Sequence, residues 1–61
     1  MDQVTRTGKS VLCVDDDPGI RDLLKEIIAR LGHSTITAVD GIDALGKLAD
    51  GHFDIVITDI S

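Results

Sequence analysis

Two short apolar runs each end on acids, and they constrain the fold of this chain more than any other feature. Val11-Leu12-Cys13-Val14 leads straight into Asp15, Asp16 and Asp17, and Ile55-Val56-Ile57-Thr58 leads into Asp59, Ile60 and Ser61. An unbroken apolar run of this length, without polar alternation, marks a strand covered on both faces. Strands covered on both faces need helices above and below, and the sequence between the runs supplies two helical patterns. Ile20, Leu23, Leu24, Ile27, Ile28 and Leu31 recur at spacings of three and four, an amphipathic stripe. Asp17 is placed to cap its start, Pro18 fits the first helical position and Gly32 ends it. Glu26 and Arg30 pair on its outer side.

The second pattern follows a weaker, alternating segment at 34–39, read as an edge strand. Asp40 caps the second helix, Ile42, Leu45, Leu48 and Ala49 form its inner face, Asp43 and Lys47 pair outside, and Gly51 closes it. The elements expected are therefore β1 at 10–15, α1 at 18–31, β2 at 34–39, α2 at 41–50 and β3 at 53–59, after an unstructured arm at 1–9. The order βαβαβ belongs to an α/β fold with a parallel sheet and right-handed crossovers. Ligands of such sheets bind beyond the carboxyl ends of the strands. Asp15, Asp16 and Asp59 are expected to meet there.

Asp17 is accounted for as a helix cap, whereas Asp15 and Asp16 have no evident local structural task. Carboxylates held close together repel one another, and a hard divalent cation with oxygen ligands relieves that repulsion. Mg²⁺ fits best, with Asp16 and Asp59 as direct ligands and Asp15 acting through water. The bland reading is that acids ending a buried strand simply reach water. In the functional reading Asp59 is either a plain ligand or also a nucleophile, since an ionised carboxylate attacks a phosphoryl group without a general base.

Composition narrows the remaining classes. The chain has 61 residues and a net charge of −5, from 11 acids against 6 bases. That balance disfavours nucleic acid and anionic membranes as partners. No apolar run approaches the length of a membrane span, the first eight residues lack the apolar core of a signal peptide, and a cytoplasmic location is expected. Cys13 is unpaired and reads as a core residue. A chain this short buries only ~60% of its unfolded surface, so a metal or a second copy of the chain is the expected support. His33 and His52 sit at helix ends and read as exposed or dipole-compensating. Gly41 to Lys47 satisfies GxxxxGK, but Leu48 stands where Ser or Thr should follow and the segment fits a helix stripe, so nucleotide binding is set aside.

Three segments together, Val-Leu-Cys-Val-Asp-Asp-Asp-Pro-Gly-Ile-Arg-Asp-Leu-Leu at 11–24, Ala-Val-Asp-Gly-Ile-Asp-Ala-Leu at 38–45 and Phe-Asp-Ile-Val-Ile-Thr-Asp-Ile at 53–60, resemble the first half of a bacterial two-component response-regulator receiver domain of the CheY-like type. The resemblance implies a flavodoxin-like fold with strand order 2-1-3 in this half. It implies Asp59 as phosphoacceptor, Asp15 and Asp16 as the acidic pair holding Mg²⁺, and Ser61 as the position whose carbonyl completes the metal ligands. A histidine kinase or a full-length response regulator is the partner it implies, and no enzymatic activity beyond accepting phosphate.

A receiver domain carries five βα units, and the resemblance here ends at the third strand. The expectation is of a truncated receiver without the later Ser/Thr, Lys and aromatic positions. Its third strand would be an exposed apolar edge, and such edges pair with other chains. A homodimer through that strand, or through uncovered sheet faces, is expected to complete the fold. The alternative function is a self-assembling half-domain that acts as a structural or interaction module without chemistry.

Overall fold

The computed structural model describes residues 8–58. Its elements are β1 (Ser10–Val14), α1 (Pro18–Arg30), β2 (Ser34–Ala38), α2 (Gly41–Asp50) and β3 (Ile55–Thr58). All strands are parallel and lie in the order β2-β1-β3, the order the resemblance implies. β1 is central: Leu12 is level with Ile36 on one side and Val56 on the other, and Val14 is level with Ala38 and Thr58.

Because side chains alternate along a strand, β1 feeds two small cores. Val11 and Cys13 pack with Ile28 and Leu24 of α1. Leu12 packs with Ala38, Ala44 of α2, Val14 and Phe53. The helices therefore cover opposite faces. Cys13 is fully buried, and desolvation pushes its thiol above the ordinary range, as suits a core residue rather than a nucleophile.

Both helix starts form as the sequence dictates. The Asp17 carboxylate accepts from the Gly19 and Ile20 amides, and the Asp40 carboxylate accepts from Asp43 N at 2.8 Å. Each satisfies amides that have no partner within the helix. Gly32 ends α1 with φ +91°, a conformation that costs glycine little, and His33 N donates back to Ile28 O.

The ends of the strands are trimmed by side chains. The Asp15 amide donates to Ala38 O, but the Asp15 carbonyl is taken by Arg21, so β1 stops at Val14. β2 stops at Ala38, and the next amide, that of Val39, donates to the Asp43 carboxylate at 2.9 Å on the side away from β1. Phe53 turns into the α2-side core and Asp54 clasps Ser10, accepting from its amide and donating to its carbonyl, so β3 starts at Ile55 rather than 53. Leu31 serves as the cap of α1 rather than its last residue. At the other end of the sheet Lys9 is anchored: its amide donates to His33 Nδ1 at 3.0 Å and its carbonyl accepts from Ser34 N. His33 thus ties down the start of β1, and Lys9 is no part of a loose arm; residues 1–7 lie outside the described residues.

The inner face of α2 differs from the expectation. Ala44 is its buried residue, whereas Ile42 and Leu45 are 83% and 68% exposed and Leu48 is 39% exposed. The small Ala44 side chain lets the helix lie close on Leu12 and Ala38, and the bulkier residues fall to either side. Asp43 and Lys47 are half-buried rather than outside, because Lys47 Nζ reaches both the Asp43 carboxylate, at 3.3 Å, and the Thr37 carbonyl.

Candidate functional site

The carboxyl ends of the strands open into a cleft of about 460 Å³. Val14, Asp15 and Asp16 line it from the end of β1, Val39, Asp40, Gly41 and Ala44 from the β2–α2 junction, and Val56 and Thr58 from β3. Two of the site residues read from the sequence, Asp15 and Asp16, therefore share one cavity. The other two, Asp59 and Ser61, lie outside the described residues.

Asp15 has a structural task that the sequence did not reveal. Its Oδ1 accepts from the Asp17 amide at 2.9 Å, closing a tight turn before α1. Asp16, next along, is exposed. Neither carboxylate is in an ion pair among the described residues. Their donor set is hard carboxylate oxygen facing an open cleft, which fits a Mg²⁺ ion that keeps several waters. Among the described residues alone, no three His, Cys, Asp or Glu side chains are close enough to hold a metal.

Asp40 is a third acid of the cleft lining, and sequence reasoning treated it only as a helix cap. A signal was present: Asp40 follows β2 closely, as Asp15 follows β1, and parallel register sets Val14 beside Ala38.

Around this rim a polar network joins the elements. Arg21 Nη1 donates to Asp15 O at 2.8 Å. The Val39 amide holds the Asp43 carboxylate below the usual carboxylate range, with Lys47 and Arg21 adding to the effect. Asp54, at the opposite end, is lowered chiefly by the Ser10 amide. A carboxyl that is more acidic folded than unfolded stabilises the fold above its unfolded pKa, and the effect is lost as pH falls through the folded value. Both groups therefore predict that stability declines below about pH 4, the ordinary carboxylate range. In pH-dependent urea denaturation, Asp43→Asn should flatten that decline; an unchanged pH profile would count against the Val39 contact.

His52 Nε2 lies 3.7 Å from Asp54 Oδ1 at the opposite end of the sheet, far in the fold from the acidic rim. The GxxxxGK segment lies within α2 and forms no phosphate-cradling loop. No helix among the described residues is long and apolar enough to cross a membrane.

Comparison with known proteins agrees with this geometry. The chain is similar to the protein PilG of Pseudomonas aeruginosa, with 42% identity over 53 residues that make up 87% of this chain and 39% of PilG. It is similar to part of the sensor histidine kinase RcsC of Escherichia coli K12, with 45% identity over 84% of this chain and 5% of that protein. The structure of the chemotaxis response regulator CheY4 of Vibrio cholerae superposes with a TM-score of 0.86 at 36% identity, covering 90% of this chain and 46% of CheY4. The chain thus spans less than half the length of each. The profile of the response regulator receiver domain matches residues 11–61. With three parallel strands in the order β2-β1-β3 and acids at their carboxyl rim, the chain belongs to the response regulator receiver domain family.

Proposed function

We propose that this chain is a phosphoryl-accepting receiver module of two-component signalling, which binds Mg²⁺ through Asp15, Asp16, Asp59 and the Ser61 carbonyl and accepts phosphate on Asp59. The observation that carries this reading is the cleft lined by Asp15 and Asp16 and bounded on the β3 side by Thr58, the residue before Asp59. Asp59 would act as nucleophile: one carboxylate oxygen forms a bond to phosphorus while the bond from phosphorus to the donor breaks, and the donor leaves with that electron pair. A bound Mg²⁺ would supply neutralisation of the charge on the transferring oxygens. Asp15, held by the Asp17 amide, keeps its carboxylate oriented without a conformational search. A histidine kinase of the sensor class, or a full-length regulator, is the proposed partner in a cytoplasmic setting. The chain itself is the acceptor rather than an enzyme.

The test is incubation with acetyl phosphate and Mg²⁺, read by intact mass, beside beryllofluoride with Mg²⁺ read by NMR. One phosphoryl adduct on the wild type and none on Asp59→Ala is the expected result. No adduct and no spectral response would favour the second reading, a self-assembling module without chemistry.

One observation supports self-association alongside either reading. All of β3 is exposed, with Ile55, Val56 and Ile57 at 45%, 44% and 39%. The opposite edge is guarded, because Lys47 Nζ occupies the outward carbonyl of Thr37. The even residues of β1 face β3, and Leu12 is level with Val56, so Ile55 and Ile57 direct their backbone groups at β1 and those of Val56 turn outward. A two-fold antiparallel partner then pairs Val56 with Val56 of the second copy at the centre of the contact. This register sets Asp54 against Thr58 of the second copy, so no acids oppose one another among these residues. Val56→Lys places two cations at that centre, where like charges destabilise pairing. Sedimentation at micromolar concentration should find a dimer for the wild type and a monomer for Val56→Lys; a wild-type monomer would refute the contact.

A further inference from the structure

Arg21 is the side chain whose placement the family assignment leaves unexplained. It lies one turn into α1, where its own amide donates to Asp17 O at 3.0 Å. Its side chain turns back along the helix, and Nη1 donates to the Asp15 carbonyl at 2.8 Å in a half-buried setting. The other arginine of α1, Arg30, is exposed and pairs with Glu26 on the outer face. Arg21 stands among acids yet forms no ion pair among the described residues. Its guanidinium serves a backbone carbonyl instead.

The consequence is a residue held at three points. The Asp15 amide donates to Ala38 O at 3.1 Å, the Asp15 carbonyl accepts from Arg21, and Asp15 Oδ1 accepts from the Asp17 amide. Oδ2 is the carboxylate oxygen that has no hydrogen bond among the described residues, and Asp15 lines the cleft. We propose that Arg21 is the positioning residue of the acidic rim, fixing through the Asp15 carbonyl the one carboxylate oxygen that Asp15 offers a cation. This inference rests on the Mg²⁺ reading given above.

Two opposed effects make the proposal decidable. As a bare charge, Arg21 would repel Mg²⁺, and its removal would tighten binding. As a clamp, it orients a ligand, and its removal would loosen binding. The clamp should prevail. The contact is short and half-buried, whereas a charge acting across an open cleft is screened by salt. Loss of a group that orients a metal ligand typically weakens metal affinity about 10- to 100-fold.

The experiment compares the wild type with Arg21→Met, which keeps the apolar stem, and Arg21→Lys, which keeps the charge and a donor. Mg²⁺ is titrated against the amide signals of residues 15–19. Hydrogen exchange of the Asp17 amide is followed without metal, and folding is checked by circular dichroism. Arg21→Met is expected to weaken Mg²⁺ about tenfold and to speed exchange of the Asp17 amide, with Arg21→Lys between it and the wild type. Unchanged or tighter Mg²⁺ binding in Arg21→Met overturns the proposal. If the wild type itself shows no response to Mg²⁺, the cation reading fails, and Arg21 is judged on exchange alone: an unchanged Asp17 rate refutes the clamp and a faster one upholds it. Should Arg21→Met not fold, Arg21→Lys carries the same comparison, and wild-type affinity in that variant would refute the need for the guanidinium fork.

Discussion

Leu12→Ala is expected to remove a large share of the chain's stability and to lower its urea midpoint markedly. Leu12 is fully buried on the central strand, where it joins Ala38, Ala44, Val14 and Phe53 into the whole of the α2-side core. Leu-to-Ala changes at such sites cost about 2–5 kcal/mol, the transfer loss plus the cavity left behind. At roughly 0.05–0.15 kcal/mol per residue, a chain of this length has a total stability of only about 3–9 kcal/mol. A single cavity therefore removes much of the margin. On the α2 side no further apolar layer compensates among the described residues, because Ile36, Leu45 and Val56 are substantially exposed. Leu12→Met conserves volume and should cost less than about 1.5 kcal/mol. Urea denaturation followed by circular dichroism separates the two. An unmoved midpoint for Leu12→Ala would mean that the small core is not what holds the sheet.

Asp16→Asn should produce two changes of opposite sign. Without metal, replacing one of three consecutive carboxylates by an amide removes like-charge repulsion, and the melting temperature should rise. With Mg²⁺, the same change removes a proposed direct ligand, and affinity should fall by at least about 100-fold, more than the loss of an orienting group would cause. Stabilisation by a ligand follows its occupancy of the folded state. The wild type should therefore melt higher as Mg²⁺ is added, and Asp16→Asn should not. The crossing of the two melting curves with Mg²⁺ concentration is the signature of a cation site. A variant that melts lower than the wild type in chelator would show that the acids stabilise the turn rather than strain it.

The elements were legible because each carries its period openly. The run at Val11–Val14 and the stripe from Ile20 to Leu31 admit few other assignments, and Asp17 and Asp40 announce the helix starts. The burial of Ala44 instead of Ile42 and Leu45 was not legible, since a hydrophobic stripe says which side is apolar and nothing about how closely the sheet approaches. The strand ends were hidden for a related reason. Arg21, Asp43 and Asp54 each hold a backbone group at a strand end; the first two contacts depend on how the chain turns into each helix, and the third exists only once Asp54 meets Ser10 across the sheet. Of the site, Asp15 and Asp16 could be read from their place after an apolar run, and the structure sets both on one cleft. Asp40 was obscured by its more familiar role as a cap. Asp59 and Ser61 lie outside the described residues and stand on the resemblance.

The contact from Lys47 to the Thr37 carbonyl bears on the proposed pairing through β3. A sheet with two receptive borders can be extended from each end without limit, and copies of it would grow into fibres. Lys47 occupies one outward acceptor of β2, the Thr37 carbonyl, and makes that border the less receptive of the two. Under the proposed pairing along β3, joining there is favoured over joining along β2, and the mass of the particle should plateau as concentration rises.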